Sequence, residues 1–125
     1  MSSPSATQDT YPYPNEPTWS RSEKAIARTA FDTALKRELQ DVIRKTKQRA
    51  NQIKEPADVW ELEHYLTQRR KDIDSKYDFR SSRLTRVFGR LLYESRLTEE
   101  DLCGLGEDKV QLIHSFVKFL AEQAA

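Results

Sequence analysis

Residues 20–54, SRSEKAIARTAFDTALKRELQDVIRKTKQRANQIK, contain neither proline nor glycine, and their reading decides the fold class. Ser20 and Glu23 have the S-x-x-E spacing of a capping box, so a helix starts near Ser20. Apolar residues then recur at Ile26/Ala27, Ala30/Phe31, Ala34/Leu35, Leu39, Val42/Ile43, Ala50 and Ile53. That is a helical period, with a gap across residues 44–49. A helix from Ser20 to Lys54 is about 52 Å long at a rise of about 1.5 Å per residue.

Working outward, Pro56 fits the first turn of a second helix, and Asp58 is favourable at that end. Val59, Leu62, Leu66, Ile73 and Tyr77 follow in steps of threes and fours, a seam interrupted at Arg69 and Arg70. A break is expected across residues 78–82, where Ser81-Ser82 offers a competing cap. Leu84, Val87, Phe88, Leu91 and Leu92 mark a third helix, with Gly89 inside it for close packing. Thr98 and Asp101 form another N-cap, opening a short helix that stops at Gly104. Val110, Ile113, Val117 and Leu120, flanked by Leu112, Phe116 and Phe119, give the last helix a broad apolar face. No period-two run bounded by turns is present, and no internal repeat.

The expected fold is all-α: a long antiparallel two-helix arm and a small C-terminal helical head. Residues 1–18 read as a tail, because Pro4, Pro12, Pro14 and Pro17 each remove a donor and favour extended geometry. Residues 19–125 form a single helical domain, with 19–78 as the arm and 79–125 as the head. A helix this long folded against one neighbour buries one side only. Helical patterns well beyond about 25 residues usually belong to coiled coils or bundles. A homodimer is therefore expected, with the Val59–Tyr77 stripe as its seam.

Composition narrows the function. The 125 residues carry a net charge of +1, so no global basic field marks a dedicated nucleic-acid binder. No run approaches the roughly 20 apolar residues of a membrane span. Met1 to Asn15 lack a basic start and an apolar core, so no secretory signal is expected. The single cysteine, Cys103, excludes an intrachain disulfide and suits a reducing compartment.

Candidate chemistry is sparse. His64 and His114 lie far apart, Cys103 has no cysteine partner, and no metal-binding spacing occurs, so no metal is expected. No phosphate-binding glycine loop is present, nor any nucleophile and base at usable spacing, so neither a cofactor nor a catalytic residue is assigned. The informative cluster is Trp60, Glu63, His64 and Arg70 on one helix face, with Asp74 a turn beyond. A large aromatic, acids and an arginine resemble an interface hot spot, or equally a polar break that sets register. Arg83, Arg86 and Arg90 form a cationic surface on the third helix, suited to an acidic protein face or a nucleic-acid backbone.

Several of these residues also carry a family resemblance. They are Trp19-Ser20, Phe31, Arg37-Glu38-Leu39, and then Val59-Trp60-x-Leu62 with Leu66 and Arg70. Ile73-Asp74-x-Lys76-Tyr77-Asp78-x-Arg80 follows, then Val87-Phe88, Leu91 and Asp108-Lys109. Over about Trp19 to Leu120 the chain resembles the fluorescence recovery protein family of cyanobacterial photoprotection. The resemblance implies an all-helical dimer that holds no pigment. It implies binding to the light-activated orange carotenoid protein through that protein's C-terminal domain. It also implies faster return of that partner to its resting state, ending non-photochemical quenching at the phycobilisome.

By the same resemblance Trp60 and Arg70 match positions at the dimer and functional surface, and Lys109 joins Arg83, Arg86 and Arg90 as head residues that meet the partner. A cytoplasmic location is implied, peripheral at the cytoplasmic face of the thylakoid in a cyanobacterium. The family typically has His-Asp where this chain has Glu63-His64, and often an apolar aromatic where it has Arg86. Two alternatives therefore stand: a family-like helical dimeric adaptor with another protein partner, and a small nucleic-acid-binding helical dimer.

The proline-rich tail yields a prediction. Deleting residues 1–17 should leave helicity by circular dichroism and mass by light scattering unchanged. A large fall in Tm would show instead that the tail packs.

Overall fold

The computed structural model describes residues 18–125, so the expectation for the proline-rich tail lies outside the described residues apart from Thr18. Four α-helices follow in order: α1 (Arg21–Asn51), α2 (Pro56–Lys76), α3 (Leu84–Tyr93) and α4 (Glu107–Ala124). A one-turn 3-10 helix, Glu100–Leu102, precedes α4. No strand occurs among the described residues.

The Ser20 capping box forms as expected. The Glu23 amide donates to Ser20 Oγ at 3.1 Å, and the Ser20 amide donates to Glu23 Oε1 at 2.9 Å. The far end of α1 differs from expectation by a few residues. It stops at Asn51 rather than Lys54, because the amides of Lys54 and Glu55 donate to Asp58 Oδ2 at 2.9 and 3.1 Å. Glu55 is extended (φ −131°, ψ 159°), as the residue before a proline prefers, and Pro56 opens α2. The chain thus reverses over four residues, and α2 returns antiparallel to α1. Arg49 lies over the Tyr65 ring near the reversal, while Glu38 meets Arg69 and Lys76 farther along.

The break after α2 lies where expected, but its cap does not. Neither Ser81 nor Ser82 caps α3. Arg83 holds the N-cap position with no side-chain bond, and Asp78 instead takes the Arg80 amide at 3.1 Å. The Asp78 carboxylate also holds the Arg80 guanidinium at 2.6–3.0 Å, a charge-assisted pairing stronger than a neutral serine hydroxyl makes.

The core sits in the head and is shared by the first half of α1. Trp19, Ala27, Ala30, Phe31 and Ala34 are buried with Leu84, Phe88, Leu91, Leu97 and Ile113. Phe31 meets Tyr77 and Phe79 edge to face at 5.4 and 5.1 Å. The small alanines let α1 approach closely, and the aromatic rings fill the space beside them. The 19–78 and 79–125 segments describe chain order, but in space α1 runs from the head out into the arm.

Two glycines are there for contact or conformation. Gly104 has φ +100°, and a Cβ there would lie 2.7 Å from Ile26 Cδ1. Gly89 lets α4 seat against α3: a Cβ would meet Phe116 Cβ at 3.0 Å and the Ile113 carbonyl at 3.1 Å. Gly89→Val should therefore wedge the two helices apart and cost about 1–3 kcal/mol in chemical denaturation. Unchanged stability would show that α4 shifts freely.

Candidate functional site

Glu38, halfway along α1, sits on the face that meets α2, and its side chain is 1% exposed. Lys76 Nζ donates to Oε2 at 2.8 Å, the Tyr77 hydroxyl donates to Oε1 at 2.9 Å, and Arg69 also bonds Oε2. Arg96 Nε approaches Oε1 at 3.7 Å. A second ring of acids surrounds these cations. Arg69 reaches Asp72 at 2.8 Å, Lys76 reaches Glu94 at 2.7 Å, and Arg96 reaches Asp41 at 3.4 Å. Both helices of the arm are thereby joined to the end of α3 and to the turn that follows it.

The electrostatics follow from this packing. Burial by itself raises the pKa of Glu38, but the hydrogen bonds from Lys76, Arg69 and Tyr77 outweigh it and hold the carboxyl at about 2. Burial, then the bond to Glu38, push the Tyr77 phenol upward, so it stays a neutral donor. A second anchor repeats the device at the start of α1. The Ser20 amide, Lys109 and the Gly106 amide hold Glu23 at about 2. Lys109 Nζ lies 2.9 Å from Glu23 Oε1, and the Gly106 amide donates to Oε2 at 2.8 Å.

Lys109, expected among the partner-facing head residues, is buried beside Trp19 and Glu23, where its charge neutralises the carboxylate that also accepts from the Gly106 amide and so ties α1 to the start of α4. Arg83, Arg86 and Arg90 do come together, lining one cleft with Arg80, Phe116 and Phe119. Tyr77, expected in the dimer seam, is committed inside the chain to Phe31 and Glu38. Arg69, read as a break in the seam, points inward to Glu38.

The arm carries the other expected site residues. Trp60 is 67% exposed, and with His64, Tyr65 and Arg49 it lines a shallow depression near the reversal. Glu63 is exposed beside them. Arg70 and Asp74 lie farther along α2, about 15 and about 21 Å from Trp60 at about 1.5 Å per residue. They approach each other at 3.9 Å with side chains 87% and 73% exposed, a pair of little intrinsic worth. Val59 and Leu66 are exposed on α2, and Leu39 and Ile43 on α1. Leu62 and Ile73 are partly covered. Among the described residues no cluster of metal-ligating side chains occurs, and no helix is long and apolar enough to cross a membrane.

Sequence reasoning missed the Glu38 cluster as a site. Its members stood in the family-like segments Arg37-Glu38-Leu39 and Lys76-Tyr77, but nothing local pairs residues so far apart in the chain.

Comparison with known proteins fits this geometry. Residues 19–117 match the family model described as photoprotection regulator fluorescence recovery protein. The fluorescence recovery protein of Synechocystis sp. (strain ATCC 27184 / PCC 6803 / Kazusa) is 35% identical over 103 residues, which are 82% of this chain and 94% of that relative. The solved structure of the Fremyella diplosiphon fluorescence recovery protein superposes with a TM-score of 0.78 at 37% identity, over 81% of this chain and 99% of that one. The Synechocystis structure gives the same TM-score of 0.78 at 35% identity, with the same coverage of 81% and 99%.

The acid limb of stability tests the buried carboxylates. Glu38 and Glu23 have folded pKa values below the ordinary 4.5, so the unfolded chain binds protons first as pH falls. Their contribution is complete above about pH 4.5 and is lost as pH falls through about 2. Tm should fall across that window. Glu38→Gln should flatten the limb and cost about 3–5 kcal/mol at neutral pH, because it strands buried cations. A Gln variant as stable as the parent, with the same acid limb, would show that the cluster contributes nothing.

Proposed function

This chain belongs to the fluorescence recovery protein family of photoprotection regulators, and from that premise we propose that it acts non-enzymatically, as a homodimer, on photoactivated orange carotenoid protein. It speeds that partner's return to the resting state and so ends quenching at the phycobilisome. The observation that carries the reading is the bare apolar arm. Val59, Trp60, Leu66, Leu39 and Ile43 are all exposed in the single chain.

Burying a Val, Leu or Ile side chain is worth about 1.5–3 kcal/mol. A two-fold dimer buries the same patch on both copies, so the gain is doubled. Val59, Leu62, Leu66 and Ile73 form the proposed seam. Trp60, Glu63, His64, Arg70 and Asp74 form the proposed arm surface that links dimer geometry to function. Arg83, Arg86 and Arg90 face the partner's C-terminal domain from the head.

The mechanism is differential binding. A regulator that bound the photoactivated state best would trap it and slow its decay. Acceleration needs tighter binding to the transition state for closure than to the open form, by about 1.4 kcal/mol per tenfold in rate. A head on a stiff arm suits this task, because it presents a fixed surface to a partner whose own shape changes. The proposed location is the cytoplasm, at the cytoplasmic face of the thylakoid.

A helical adaptor serving another protein partner is the second reading. It is favoured by Arg86, which stands in a cationic cleft at a position where the family often has an apolar aromatic.

The test is the dark reversion of photoactivated carotenoid protein with and without this chain. Wild type should accelerate it. Trp60→Leu should reduce the acceleration at least about tenfold while leaving Tm within a few degrees, as truncating an interface hot spot does. Leu66→Glu should shift the mass by light scattering from dimer toward monomer. Reversion at the unassisted rate, with a folded dimer present, favours the second reading.

A further inference from the structure

The end of α2, the connection to α3, α3 itself and α4 enclose a cleft on the head. Arg80, Arg83, Arg86 and Arg90 line it above the buried Lys76, which Glu38 and Glu94 hold; Asp78, the carboxylate in the lining, pairs with Arg80. One wall is apolar, made by Val87, Phe116 and Phe119. The two phenylalanine rings stack on each other, 5.8 Å apart and 21° from parallel. The cleft is therefore cationic on one side and aromatic on the other.

We propose that this cleft binds an acidic peptide segment in which an aromatic or aliphatic side chain lies between carboxylates. The inference deepens the reading that the head faces a protein partner, and rests on it. Charge complementarity selects the carboxylates, and planar guanidinium groups hold them through paired hydrogen bonds. The phenylalanine wall selects the apolar side chain. A single-stranded nucleic acid fits less well. Phe116 and Phe119 already spend a face on each other, whereas a base needs an open ring face. Asp78 pairs with Arg80 within the lining and Glu94 pairs with Arg90, so acids interrupt the row of cations that a phosphate backbone would follow.

Glu94 supplies a signature specific to this site. Its Oε2 accepts from Arg90 Nε at 3.1 Å, and its Oε1 meets Lys76 Nζ at 2.7 Å. Glu94 is thus an internal carboxylate that already occupies two of the cleft's cations. An incoming acidic segment competes with it for Arg90. Removing this competitor should strengthen binding, which is the opposite of what a generic loss of structure does.

The experiment uses the full chain and fluorescence anisotropy. The probe is a short fluorescein-labelled peptide of Glu and Asp residues around a central Phe. Wild type should bind it, with affinity falling steeply as salt rises. Arg83→Glu combined with Arg90→Glu should weaken binding at least about tenfold while helicity and dimer mass persist. Glu94→Gln should tighten binding several-fold. The peptide with Gln and Asn for its acids, or Gly for its Phe, should bind more weakly.

The proposal is overturned if wild type ignores the probe or if the neutral peptide binds equally. It is also overturned if the double variant is unaffected, if Glu94→Gln weakens binding in a folded protein, or if an oligothymidine of equal length binds more tightly. No carotenoid protein is present, so this outcome is separate from the reversion assay. Reversion that fails while the peptide binds removes the carotenoid partner and keeps the cleft; accelerated reversion by the arginine double variant keeps the regulator and removes the cleft.

Discussion

A single buried carboxylate, Glu38, sets the geometry on which the rest of the molecule depends. Moving an isolated carboxylate out of water costs several kcal/mol even after relaxation. It is tolerated here because Arg69, Lys76 and Tyr77 all point hydrogens at it, and Arg96 lies behind. Those partners come from α2, from the connection after it and from the turn after α3. The charge is satisfied only when all of these segments are in place together. A hydrophobic contact would hold them as firmly but would tolerate sliding. Directed hydrogen bonds to one carboxylate do not, so the cluster fixes how the arm leaves the head.

The division of labour along α1 follows from this placement. On the head side of Glu38, α1 is lined with alanines and Phe31 and is buried in a mixed core. On the arm side, its apolar residues, Leu39 and Ile43, are exposed. Without a partner the arm is a two-helix hairpin with little core of its own. The head has a buried core that the first half of α1 completes, while the arm presents exposed apolar residues, the surface on which the proposed dimer rests. The proposed functional surfaces then lie on both sides of the same anchor. Lys76 and Glu94 belong to the anchor, and Lys76 and Arg90 also line the head cleft.

Pairing also explains how a chain with 33% charged residues builds a compact head. Many of the charges face solvent and contribute little, as Arg70 and Asp74 do. Others alternate in a row that starts at the surface, passes through the buried pair Glu38 and Lys76 and returns to the surface: Asp72, Arg69, Glu38, Lys76, Glu94 and Arg90. Alternation lets each group neutralise its neighbours, so the low-dielectric interior strengthens the pairing. Glu23 and Lys109 apply the same rule at the other end of the head.

By itself the sequence determined the helices and their order. Capping at Ser20, Pro56 as the first residue of α2, the break after Tyr77 and the stop at Gly104 are local effects, written in neighbouring residues. The apolar stripe of α2 and the arginine face of α3 were legible for the same reason, because helical period alone places residues on a face. What only the tertiary structure decided is which charged residues turn inward. Arg69 looked like a break in the seam, Lys109 like a surface contact and Tyr77 like part of a dimer stripe. Each is held by a partner remote in the chain, Glu38 for two of them and Glu23 for the third. Period and propensity treat a charge as outward because water is its default partner. Only the folded chain brings up a better one, and a carboxylate that has lost its water then dictates where its cations must stand.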